Sequence, residues 1–220
     1  MLMPTNSFLA VFLFSFGMAI GAVLTPGPVT TAIISQTPRM GWITGPLVSL
    51  GHAMLEFLMV VLITLGLSGI LGAPAVKTVI ALLGGLLLLW MGGSMLFGAL
   101  KGKLRLPEQD KASEKMDIGR LMGIGVIASL TNPFWYAWWM TAAAVYLLQA
   151  KAAGVLPVVG FYLGHTSADF LWHTTLSTAV GGSKKLITNK IYAGLISGCS
   201  LFLIYLAVKF LMAGINGISG

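Results

Sequence analysis

Six long apolar stretches, roughly 7–35, 42–71, 75–99, 118–149, 154–181 and 187–214, occupy most of this chain. Each reaches or exceeds the roughly 20 residues that a helix needs to cross about 30 Å of hydrocarbon. Between them little is left to cover a water-facing globule. Charged residues are 9% of the chain and hydrophobic residues 57%, against about 25% charged in an ordinary soluble domain. Lipid must then be the main solvent, and in lipid every backbone polar group has to be satisfied internally. The alternation of apolar and polar residues that marks a transmembrane β-barrel is absent, and the segments are too long and too uniformly apolar for one. The expected fold is an all-α membrane protein of six transmembrane helices.

The first of these stretches begins in MLMPTNSFLAVFLF, which lacks a basic leader and a small-residue cleavage site, so it reads as a retained helix rather than a signal peptide. The only cysteine, Cys199, lies in the last stretch. It excludes an internal disulfide or dithiol redox centre and reads as a small packing residue.

The net charge of +7 is a topology signal. With six spans the connections alternate between two sides. One side receives Arg39, Lys101, Lys103, Arg105, Lys111, Lys115, Arg120, Lys184, Lys185 and Lys190; the other receives Lys77, Lys151 and Lys209. The basic-rich side is cytoplasmic by the positive-inside rule, which puts both termini outside the cell membrane. Anionic headgroups, not nucleic acid, are the partners of such charge.

The hydrophilic segment KGKLRLPEQDKASEKMDIGR, 101–120, divides the chain into halves of three spans. The expected organisation is a first three-helix repeat over 1–100, a charged cytoplasmic linker over 101–117 and a second repeat over 118–220. The halves share two features in the same order. LTPGPV (24–29) in span 1 answers LTNPFW (130–135) in span 4, and GHAMLEF (51–57) in span 2 answers GHTSADF (164–170) in span 5. Three spans per half invert the second copy. Inverted repeats whose first helices, 1 and 4, are broken at proline are a signature of secondary transporters with a site near the midplane.

Six acidic residues exist, and four of them lie in the linker. The other two are Glu56 and Asp169, the acids of the repeated motif. A carboxylate at the bilayer centre costs at least about 2.5–3.5 kcal/mol, so two of them need an offsetting interaction. His52 precedes Glu56 by four residues and His165 precedes Asp169 by four, which places each imidazole on its acid's helix face. His173 extends the second stripe by another turn. Two histidine–carboxylate pairs of this kind can bind a proton or a cationic group. The bland alternative is a structural clasp between helices.

Around the prolines, Thr25, Pro26, Gly27 and Pro28 in span 1 and Thr131, Asn132 and Pro133 in span 4 form a candidate substrate path, because interrupted helices free backbone groups. Thr30, Thr31, Ser35 and Gln36 in the first half and Ser129 in the second add polar side chains nearby. The run FWYAWW, 134–139, reads first as an interfacial aromatic belt and second as a wall over that path.

These motifs, TPGPVTTAIISQTPRMGWITG (25–45), SLGHAMLEF, VIALLGGLLLLWMGGSML (79–96), the charged linker and LTNPFWYAWW, together resemble the lysine-exporter (LysE/RhtB-type) family of amino-acid exporters, within the larger LysE superfamily. The resemblance matches Pro26, Gly27, Pro28, Asn132 and Pro133 to the family's span-interrupting motifs and Glu56 to an acid in span 2. It implies export of amino acids or similar small metabolites, driven by the proton gradient. No cofactor is implied. The partners are protons, a small-molecule substrate and the bilayer, with homo-oligomerisation left open. Two alternatives differ in class. A divalent-metal transporter would use His52, Glu56, His165 and Asp169 as ligands, joined by His173. A redox conduit would need paired cysteines at the breaks, where there are none. No soluble-enzyme motif is present, whether P-loop, G-x-S-x-G or dinucleotide fingerprint.

Overall fold

A computed structural model describes residues 7–66, 73–102, 117–182 and 188–219, and the regular structure among them is entirely helical. Most of the expected linker, 103–116, lies outside the described residues.

Helix α1 (Phe8–Val23) opens on Ser7, whose Oγ accepts from the Ala10 N–H at 3.1 Å. It ends where the prolines demand. Pro26 and Pro28 have no N–H to donate, and a residue before proline is pushed out of the helical region; Gly27 is fully extended, at φ −146° and ψ −173°. Helix α2 (Pro28–Met40) restarts with proline in its first turn, where a missing N–H costs nothing, and runs off at 74° to α1. After α3 (Thr44–Thr64) and α4 (Pro74–Leu100), α5 (Ile118–Leu130) is capped by the Asp117 carboxylate on the Arg120 N–H at 2.9 Å. A second break at Thr131–Asn132 precedes α6 (Pro133–Trp138), which widens into a π-turn over Trp139–Ala143 and continues as α7 (Ala144–Ala153). Helices α8 (Val155–Gly182) and α9 (Asn189–Ser219) complete the chain.

Among the described residues, α3, α4 and α9 are each long and apolar enough to cross a membrane, and α1 with α2 qualifies as one broken span. The apolar stretches at 118–149 and 154–181 fall short of that standard. The first is divided at Thr131–Asn132, and the second carries His165, Asp169 and His173 inside α8.

The two halves of the chain exchange partners. Helix α1 packs along α8, and α5 packs along α3, so each short helix before a break lies on a helix from the other half. The glycines of the repeated motif make this possible. A Cβ on Gly164 would stand 2.3 Å from the Phe12 carbonyl oxygen, and one on Gly51 would stand 2.0 Å from that of Met122. Only a residue without Cβ lets the two backbones touch, as close-packed membrane helices require. The Ser15 hydroxyl, fully buried on α1, ties the same interface by donating to the Phe161 carbonyl at 2.7 Å. Helix α4 packs along α9, again with one member from each half. Helix α2 lies among α3, α5 and α8, with Ile33 fully buried. The outer faces are apolar; Trp90 is 69% exposed and Leu83 64%. Such a surface suits hydrocarbon.

Candidate functional site

Both histidine–acid motifs face inward. Thirteenth of the 21 residues of α3, Glu56 is fully buried, and His52, Asp169, His165 and His173 are each buried to more than nine-tenths. Both pairs expected from the four-residue interval are present, and a third contact, between the helices, joins them. Glu56 Oε1 stands 3.2 Å from Nε2 of its own His52 and 3.1 Å from Nε2 of His165, across the interface. His165 is 3.9 Å from Asp169, its partner by sequence spacing. One acid is thus shared by two imidazoles. The His52 contact follows the four-residue interval, and the His165 contact follows helix packing, because α3 and α8 are in contact.

The hydrogen-bond network assigns a proton to His52. Ser129 Oγ donates to the Gly125 carbonyl at 2.7 Å, so it accepts from the Nδ1–H of His52 at 2.5 Å. In a neutral His52 the Nε2 would then present a lone pair to the Glu56 carboxylate. That contact attracts only when a proton sits on one of the two groups. Neither Glu56 oxygen has an aligned hydrogen bond, and Asp169 Oδ2 also has none. Burying a carboxylate in that condition is costly, so the site calls for a proton, an imidazolium or a cationic ligand. On the far side His173 Nδ1 meets the Ser49 hydroxyl at 2.7 Å.

These groups line one cavity of about 70 Å³, open to the two helix breaks. That is room for several waters or a small polar solute, since one water takes roughly 10–15 Å³ of such space. The cavity joins His52, Glu56, His165, Asp169 and His173 to Thr25, Pro26, Gly27 and Asn132. Pro28, Thr131 and Pro133, also expected on the path, do not line it. Pro28 is buried at the start of α2, and Pro133 packs against α4, where a Cβ on Gly84 would meet its ring at 2.7 Å. Their part is to make the breaks.

Of the two readings of the aromatic run, the interfacial belt is corrected, and the placement agrees with the wall over the path. Trp135 and Trp139 are buried rather than set at an interface, and Trp135 and Trp138 line or back the cavity. The Trp138 ring stacks on His165 at 5.8 Å and 25°. The π-turn that follows had no signature in the sequence. Ser49 belongs to no motif that marks it in the sequence, although it lies one turn before His52 on the same helix. Among the described residues His52, Glu56 and Asp169 offer ligand atoms within 4.8 Å of one another, which is close enough to hold a metal ion.

A lipid-facing helical body with acid, imidazole and broken-helix groups enclosed in one cavity defines a polytopic membrane protein with an internal polar site. The chain matches the family model of LysE type translocators over residues 19–214, and it belongs to that family. It is therefore a membrane transporter of a small-molecule substrate, from a family of transporters and not of enzymes. No solved structure matches the chain.

Proposed function

We propose that this protein is a secondary transporter that exports amino acids or similar small metabolites across the cell membrane, coupled to protons at the Glu56–His52–His165–Asp169 cluster. The observation that carries the reading is the sharing of Glu56 between two imidazoles from opposite halves of the chain, 3.2 Å and 3.1 Å away. A group held this way links protonation to the packing of one half on the other. Movement of α8 against α3 separates Glu56 from His165, and the proton or cation that bridges them must leave or follow.

The reading takes the helices as six spans in two inverted three-helix repeats, 1–100 and 118–220, joined by the linker at 101–117 on the cytoplasmic side with both termini outside. The exchanged pairing of α1 with α8 and α5 with α3 supports it, because repeats related in this way bury equivalent surfaces on each other. Substrate enters the cavity from the cytoplasm. A proton from outside then reaches Glu56 or Asp169, displaces the substrate, and one repeat rocks against the other.

A second reading is divalent-metal transport, with the ion as cargo. The convergence of His52, Glu56 and Asp169 within 4.8 Å favours it, and His165 would complete the set. Transport by the purified protein in proteoliposomes with an imposed pH gradient, screened against amino acids and divalent metals, separates the two. Gradient-driven movement of amino acids supports the first reading; movement of metal alone replaces it with the second.

A further inference from the structure

The two helix breaks look alike in sequence but end differently in three dimensions. At the second, the Asn132 side chain folds back so that Oδ1 accepts from the Phe134 N–H at 3.1 Å, and that helix start is closed. At the first, Gly27 has no side chain, and the start of α2 has no side-chain cap. The opening N–H groups of an α-helix have no partner within the helix and carry its positive end. Of these, Val29 and Thr30 belong to residues that line the cavity. Once Asn132 Oδ1 is committed to Phe134, its Nδ2 is turned to the same place, 3.6 Å from where a Cβ on Gly27 would be.

A second observation is independent of the helix end. The cavity holds buried polar atoms of both kinds without hydrogen-bond partners: the Trp135 and Trp138 indole N–H groups as donors, and Glu56 Oε2 and Asp169 Oδ2 as acceptors. Glu56 and Trp135 are each at least nine-tenths buried. A cation alone would leave the donors unmet, and an anion alone would leave the acids unmet. A ligand with a carboxylate and an ammonium answers both.

We infer that the cavity selects zwitterionic α-amino acids, with the substrate carboxylate taken up among the Val29 and Thr30 N–H groups of α2, the Asn132 Nδ2 amide and the Trp135 and Trp138 indole N–H groups, and the ammonium on Glu56 and Asp169. This rests on the reading of the protein as an amino-acid exporter and adds which end of the substrate goes where. The first break supplies backbone donors and the second, closed by its own asparagine, supplies side-chain donors only. Bare amines, amino-acid amides and metal ions lack one half of what the cavity offers.

The test is export from proteoliposomes of L-lysine, L-threonine and L-leucine beside their amides, which keep the ammonium and side chain and lose the carboxylate. The wild-type protein should carry the acids faster than the amides by at least about tenfold, the scale of one charge-assisted hydrogen bond. Asn132→Asp keeps the cap on Phe134 but sets a carboxylate where Nδ2 was, and it should abolish that preference. Gly27→Ala, whose Cβ would fit at an ordinary 3.6 Å from Asn132, fills the approach to α2 and should raise the concentration needed for half-maximal export of the acids. If one variant fails to fold, the other and the wild-type comparison still decide. Acids and amides carried equally by the wild-type protein would overturn the carboxylate site and leave amino-acid export standing. Transport of none of the acids would overturn both.

Discussion

Glu56 and His165 belong to different halves of the chain, yet they stand 3.1 Å apart, closer than His165 stands to Asp169 on its own helix at 3.9 Å. The acid of the first motif therefore completes the second. Neutralising it should affect both halves at once.

Glu56→Gln and Asp169→Asn keep side-chain size and remove the charge. Each should reduce export driven by a pH gradient to the level of empty liposomes while the protein elutes and melts as the parent does. Because Glu56 touches two imidazoles, its variant should also abolish counterflow exchange. Undiminished export by either variant would take that acid out of the coupling role.

Ser129 holds His52 and is itself buried. Ser129→Ala leaves a buried imidazole N–H without a partner, a loss of about 1–3 kcal/mol, and Ser49→Ala should do the same at His173. Ser94, on the exposed side of α4, bonds only its own helix, so Ser94→Ala should stay within about 0.5 kcal/mol. Thermal melting in detergent reads all three; equal midpoints would mean that the imidazoles are not held by the serines.

Gly51 and Gly164 lie where two helix backbones touch. Replacing either by alanine should cost about 1–3 kcal/mol or more through overpacking and lower the yield of folded protein. A Cβ at Gly17 or Gly93 meets nothing within 4 Å, and alanine there should be neutral or stabilising by up to about 1 kcal/mol through helix propensity. Melting midpoints of the four variants test the contrast. The reverse order would refute the close approach of α1 to α8 and of α5 to α3.

Neighbouring tryptophans should behave differently. Trp139 is fully buried in the core that joins α3, α7 and α8, and Trp139→Ala should lose about 3–5 kcal/mol of stability. Trp138 is partly exposed to the cavity and stacks on His165. Trp138→Ala should lose less stability and instead change which substrates are carried. A variant with parental selectivity would make Trp138 a packing residue.

Much of this protein can be read from its residues alone. Apolar stretches long enough to span a bilayer, with two acids inside them, force helices in lipid and force those acids inward, because an unpaired carboxylate in hydrocarbon is too costly. Pro26, Pro28 and Pro133 likewise determine where helices stop, since a missing N–H and a restricted preceding residue are properties of the chain itself. Four-residue spacing put His52 beside Glu56, and the structure keeps that contact. It could not put His165 beside Glu56, or close the second break with Asn132 while leaving the first open. Nor could it move Trp135 and Trp139 from an interface into the core. Those outcomes depend on which helix faces which, and that is decided by the close contacts at Gly51 and Gly164, between residues more than seventy positions apart. Local periodicity carries no information about such distant neighbours, so the common cavity, with its unmet donors and acceptors, exists only once the helices have packed.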